Sequence, residues 1–352
     1  MMDRTEKVTL KLFAHNVLQG LAIGIVAGLV PSALLSELSR ALMGQFPIFS
    51  TVLQVVTLLT YTLPLLVGAV AAQQFKMTPV QMVSVAAATY IGSGVLKFTP
   101  AGVTVAGIGD LVNVLITVSL AVAVALLIGD RLKAFTVLLL PAIVCLIAGG
   151  IGLLILPEVH IVTVAIGQLV HSYFVLAPLL MGILIALSFS LIILSPVSTV
   201  AIATAISMSG VASGTANLGV VAAAVGMFIG GIRVNPIGLS LSALLGSPKI
   251  MIAAVVRKPM ILAPIALNAI LLGIVGIVFQ IKGTPISAGF GFSGLVGPIN
   301  AIRFMHGGAT ATNLLIIVFV FIALPFVAGF FFEWFCRRIL HLYQAEDYNA
   351  ES

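Results

Sequence analysis

GTPISAGFGFSGLVGPINAIRFMHGG, residues 283–308, decides how this chain is to be read. It is mostly apolar, yet seven of its 26 residues are Gly and two are Pro, Pro285 and Pro298. In a helix interior Gly costs about 1 kcal/mol and Pro about 3 kcal/mol relative to Ala, so the segment is a poor continuous helix. It also carries the polar side chains Asn300 and Arg303. At membrane depth such a backbone finds no partner in lipid and is tolerated only when buried in protein or lining a wet cavity. Transporters build their substrate sites in this way. Outward from it, the chain reads as scaffold around a cavity.

The composition sets the class. The 352 residues are 61% hydrophobic and 7% charged, where a soluble domain carries about 25% charged residues. The expectation is an all-α polytopic membrane protein of about ten transmembrane helices with two broken or re-entrant hairpins. No separate soluble domain is expected: a cytoplasmic N-terminus (1–16) leads into one membrane domain (17–336) and a cytoplasmic tail (337–352). No cleavable signal peptide is expected either, because the apolar run after Arg4, Lys7 and Lys11 lacks a small-residue cleavage site. Cys145 and Cys336 lie in apolar runs and read as reduced, packed thiols. The net charge of +6 implies no nucleic-acid partner; in a membrane protein the excess Lys and Arg lie in cytoplasmic loops.

The spans fall at about 17–33, 51–72, 80–96, 111–128, 134–156, 173–194, 199–212, 217–232, 260–281 and 314–335. With the N-terminus in the cytoplasm, 12 of the 16 basic residues sort to the inner side, as the positive-inside rule requires. Arg40, Lys97, Lys282 and Arg303 are the remainder, outside or within the membrane.

A second Gly- and Pro-interrupted polar segment, 97–110, lies in the first half, and paired broken segments point towards a binding site. It ends at Asp110. A carboxylate between apolar spans faces a cavity or a partner; equally, Asp is a favoured N-cap for the span that starts at Leu111. Asn113 and Thr117 follow on the same helical face. If the two segments meet, Asp110, Asn113, Asn300 and Arg303 converge, with Arg303 placed to neutralise Asp110. Arg233 and Asn235 close the eighth span, either as an inner-surface anchor or as an anion contact facing the cytoplasm, where Arg offers a planar donor fork. No metal-ligand spacing, nucleophile–base arrangement or Gly-Lys-Ser phosphate loop occurs, so no metal, cofactor or catalytic residue is expected. The small residues of 209–219 read as close helix packing.

Three stretches together resemble a known group: AGIGDLVN (106–113), GTANLGVVAAAVGMFIGGIRVNPIGLSLSALLGSPKI (214–250) and GTPISAGFGFSGLVGPINA (283–301). They resemble the integral-membrane enzyme IIC-like proteins of the bacterial sugar phosphotransferase system, and within these the stand-alone branch that includes the perfringolysin-regulator-type proteins. The resemblance spans about 17–338. It implies an IIC-like sugar permease fold in the bacterial cell membrane, a homodimer, and a sugar site near the broken hairpins. It also implies a cytoplasmic IIB protein as phosphate donor, so that this chain is at most the membrane component of a sugar phosphotransferase. Asp110 and Asn113 match that branch's G-D-x-x-N-like stretch, and Gly294, Gly297 and Asn300 fall in its Gly-rich stretch. The chain has no fused IIA or IIB domain and lacks the G-I-T-E-type motif of glucose-type permeases, so no residue is carried over from that motif.

Three functions compete: a IIC-type sugar permease with separate IIB and IIA partners, a proton-coupled secondary transporter of a small polar or anionic solute, and a solute-sensing membrane regulator.

Overall fold

The computed structural model describes residues 9–100, 102–105, 107–129, 131–285 and 287–350; Arg4 and Lys7 of the basic N-terminus lie outside them. The chain opens with α1 (Leu10–Leu42), α2 (Ile48–Tyr61), α3 (Leu63–Gln74) and α4 (Pro79–Gly92). A hairpin of β1 (Leu96–Thr99) and β2 (Gly102–Val105) precedes α5 (Leu111–Ile128). Then come α6 (Thr136–Val144), α7 (Gly150–Ser172), α8 (Pro178–Ile192), α9 (Thr199–Ala205) and α10 (Gly210–Gly231). The chain continues with the short α11 (Ile237–Leu241) and α12 (Ile252–Arg257), and with α13 (Leu262–Val278). It closes with α14 (Val296–Phe304), α15 (Ala311–Val318) and α16 (Leu324–Trp334).

Six runs among the described residues are long and apolar enough to cross a membrane, or seven if the helices on either side of Thr62 form one span. Ten were expected. The difference has local causes. The fifth span was expected to stop before Pro157, but α6 and α7 join through a π-helical turn (Cys145–Gly149), and one run covers Lys133–Val175. The expected break at 213–215 lies instead at 206–209, and α10 runs unbroken through Gly214. Pro178–Ile192, the helix α8, is apolar but falls short of span length.

The segment 97–110 is not a broken membrane helix. Its first part is the antiparallel hairpin, with Leu96 opposite Val105 and Thr99 opposite Gly102. Thr99, Val103, Thr104 and Val105 are β-branched and suit a strand, while Gly102 takes φ +128 at the turn. Apart from Leu96, the strand residues are exposed. The fold is therefore helical with one small two-stranded sheet rather than all-α.

The chain divides into two compact units. The first comprises α1 as far as Ala27 and residues 61–156. Its helices touch through small residues: a Cβ on Gly20 would lie 2.3 Å from the Ala71 Cα, and one on Gly24 2.6 Å from the Val67 Cα. This four-residue spacing lets two helix backbones approach closely where lipid supplies no hydrophobic drive for association.

The second unit comprises residues 28–60 and 157–352. Its axis is α10, with 19 of its 22 residues buried, and α8 and α13 pack against it. A Cβ on Gly219 would lie 2.1 Å from the Ala186 carbonyl oxygen of α8, and one on Gly226 2.4 Å from Ile265 of α13. Helix α10 is the core helix of the unit, buried on every side, and its few polar side chains, Ser213, Thr215 and Asn217, are buried with it. The C-terminal segment folds back on this unit. The Tyr348 ring is fully buried where a Cβ on Gly230 would come within 2.3 Å of it. Asn235 Nδ2 donates to the Tyr348 carbonyl at 2.9 Å, and Ala350 N–H donates to Asn235 Oδ1 at 2.9 Å. Arg257 donates to the Asn349 carbonyl.

Candidate functional site

The described residues of 283–295 form no long helix, and several of their backbone groups find partners on one face of α10. Gly210 and Gly283 exchange both N–H···O bonds at 3.0 Å. Ser213 Oγ donates to the Thr284 carbonyl at 2.7 Å. Gly291 N–H donates to Asn217 Oδ1 at 3.0 Å. Positions 210, 213 and 217 are spaced by three and four residues and so lie in one stripe along α10. From α9, Thr199 Oγ1 donates to the Gly289 carbonyl at 3.2 Å. Buried backbone groups need such partners. Within the segment, Ser287 Oγ accepts from the Thr284 N–H at 2.9 Å, a local turn typical of Ser.

The segment turns into α14 through two residues with positive φ, Gly294 (+59) and Leu295 (+56). Gly adopts this region freely, whereas for Leu it costs roughly 1–2 kcal/mol. Strain of this kind persists only where the surroundings over-determine it. Gly297 follows in the first turn of α14, where a Cβ would lie 2.5 Å from the Gly291 carbonyl oxygen, so any larger side chain would push the two halves of the turn apart. On α14, Asn300 and Arg303 are three residues apart and share a face. Asn300 is buried and donates to the Val296 carbonyl at 2.9 Å. Arg303 is exposed and makes no hydrogen bond or ion pair among the described residues.

A cavity of about 400 Å³ opens against this face, within the range of small-molecule sites. Its walls are Thr284, Pro285, Ser287, Phe290, Val296, Asn300 and Arg303 on one side, with Leu29, Ser32, Ser36 and Arg40 of α1 and Thr60 of α2 on the other. All belong to the second unit. The α1 residues recur at intervals of three and four, one helical face again. Six of the twelve lining residues carry a hydroxyl or amide, groups that donate to and accept from a polyhydroxylated solute. None of the twelve is Asp or Glu.

The other expected site residues lie elsewhere. Asp110 and Asn113 are in the first unit, and Asn300 and Arg303 in the second. Asp110 caps α5, accepting at Oδ1 from the N–H of Val112 at 3.0 Å and of Asn113 at 3.2 Å. Asn113 is fully buried; its Nδ2 donates to the carbonyls of Gly92 on α4 and, at 3.0 Å, Gly152 on α7. Its amide therefore ties three helices together. Arg233 is exposed, while the amide of Asn235 holds the C-terminal segment. Among the described residues no three His, Cys, Asp or Glu side chains gather as metal ligands would.

Sequence reasoning missed the α1 wall and the α10 stripe. It ended the first span at 33, so Ser36 and Arg40 were assigned to a connector. The signal that was available lay in the charges: Arg40 and Arg303 were two of the four basic residues that did not sort to the inner side.

The family profile described as "Phosphotransferase system, EIIC" matches residues 15–350. No curated protein and no solved structure matches the chain.

Proposed function

The chain belongs to the phosphotransferase-system EIIC family, and from that premise we propose that the cavity of the second unit is its solute site. It is a multi-pass membrane protein, a permease component of sugar transport. In this proposal it carries a sugar or similar small polar solute into a bacterial cell, with a separate cytoplasmic IIB protein supplying phosphate. Asn300 and Arg303 contact the solute, with Ser287, Ser32 and Ser36 opposite or beside them. Gly294 and Gly297 permit the tight turn that brings Val296, Asn300 and Arg303 to the cavity wall. Asp110 and Asn113 act from the first unit by ordering the start of α5.

The observation that supports this reading is the cavity itself: an irregular, hydrogen-bonded segment with only short 3-10 turns lines it, and lining a cavity is one of the two settings in which a membrane interior tolerates irregular backbone. The ten-span arrangement, with both termini in the cytoplasm, and a homodimer belong to the same proposal.

Uptake of a panel of radiolabelled sugars and sugar derivatives into cells expressing the chain and its phosphate donors tests it. At least one solute should accumulate, and Asn300→Ala should reduce that uptake at least about tenfold, the loss of a buried polar contact or two. No accumulation across the panel, or full uptake by Asn300→Ala, contradicts the assignment.

A further inference from the structure

The charge of the cavity restricts what it can hold. Arg303 stands on its wall with no ion pair or hydrogen bond among the described residues, Arg40 lines the opposite wall, and none of the described lining side chains is a carboxylate. Carrying a solute across a membrane requires the site to close around it, and closure removes water from whatever lines the wall. A neutral sugar would leave the Arg303 guanidinium desolvated without a countercharge, the costly case for a buried cation. A carboxylate on the solute removes that cost, and the guanidinium fork matches it in a bidentate geometry that an ammonium cannot reproduce. The remaining donors and acceptors, Ser32, Ser36, Thr284, Ser287 and Asn300, suit hydroxyl groups. An Arg within a membrane is expensive and marks a substrate path, and Arg40 and Arg303 both line this one cavity.

We propose that the solute is a sugar acid, a polyhydroxylated carboxylate whose anionic group is met by Arg303. The inference rests on the permease reading above and narrows its substrate class.

The test is calorimetric titration of the full chain in phosphatidylcholine nanodiscs with gluconate, glucuronate, galacturonate, sorbitol, glucose and inorganic phosphate. At least one sugar acid should bind about tenfold or more tightly than its neutral counterpart, the contribution of one charge-assisted contact. Arg303→Gln should remove that preference, and Arg303→Lys should retain part of it. Because Arg303 is exposed, neither substitution threatens folding. Equal binding of neutral sugars, unaffected by Arg303→Gln, overturns the inference and leaves the permease reading standing. Phosphate binding as tight as the sugar acids overturns it too, since the cavity would then select charge alone. No binding by any probe also overturns it, and the uptake assay then decides the permease reading separately.

Discussion

Asn217, on a helix buried along nearly its whole length, accepts the backbone N–H of Gly291 at 3.0 Å. One side chain of the core thus satisfies the backbone of a segment that forms no long helix. Its Nδ2 is buried and finds no hydrogen-bond partner among the described residues. Together with the Gly210–Gly283 backbone pair and the Ser213 hydroxyl, Asn217 fixes the irregular wall of the cavity to the buried helix α10.

The left-handed turn into α14 carries strain that substitution should release. Leu295 has φ +56 and is half exposed. Leu295→Gly should stabilise the protein by about 0.5–1 kcal/mol, the αL penalty less the added chain entropy of Gly. Chemical unfolding in detergent measures it. A destabilised variant would mean that packing of the Leu side chain outweighs the backbone term.

Asn113 should matter for stability. Asn113→Ala removes both donations, to Gly92 and Gly152, and should lower stability by about 1–2 kcal/mol, the scale of interhelical hydrogen bonds in membranes. Thermal unfolding of purified protein reads this directly, and an unchanged midpoint would mean that the bridge contributes nothing.

Lys249 gives a pH signature. It is buried outside the six candidate spans and donates to the carbonyls of Ser195 and, at 2.8 Å, Val197. Desolvation pulls its ammonium down to about 7, against about 10.4 in the unfolded chain. Between those values the unfolded chain binds the additional proton, so the contribution of this group to stability rises with pH. The slope is at most about 1.4 kcal/mol per pH unit, and it vanishes below about pH 7, where both states are protonated. Lys249→Met should flatten the rise between pH 7 and 10. A wild-type curve already flat there would contradict the shift.

The C-terminal segment should behave as one cooperative clasp. Tyr348→Ala empties the space over Gly230 and should cost about 3 kcal/mol. Asn235→Ala releases the same segment, so the double variant should be less destabilised than the sum of the two. Protease cleavage within 340–350 should accelerate in each variant. Additive effects would show that the two residues act independently.

The membrane class and the broken segment were legible because both are compositional: too few charges for a soluble protein, and too many Gly and Pro for a helix. The stripe of Ser213 and Asn217 on α10 was not. Small residues beside them read as simple helix packing, and only tertiary structure reveals that the polar pair serves the backbone of a segment about 70 residues away. The hairpin at 96–105 was missed because its Pro and Gly outweighed its β-branched residues in the reading. Asn235 was read as an inner-surface anchor or an anion contact because nothing local in sequence says that its amide meets the carbonyl of residue 348. The ten-helix count failed to emerge from the structure where Pro157 was taken as a helix end, although a proline inside a long run is accommodated.

The central claim is that solute binds in the cavity between α14, the segment before it, and the α1 face at Ser32 and Ser36. Hydrogen exchange of the full chain, with and without the solute that it transports, tests this most directly. Residues 284–304, of which 284–295 form no long helix, should exchange readily in the free protein and slow on binding, together with 29–40. Protection confined to 107–117, around Asp110 and Asn113, with no change in 284–304, would place the solute in the first unit and contradict the account.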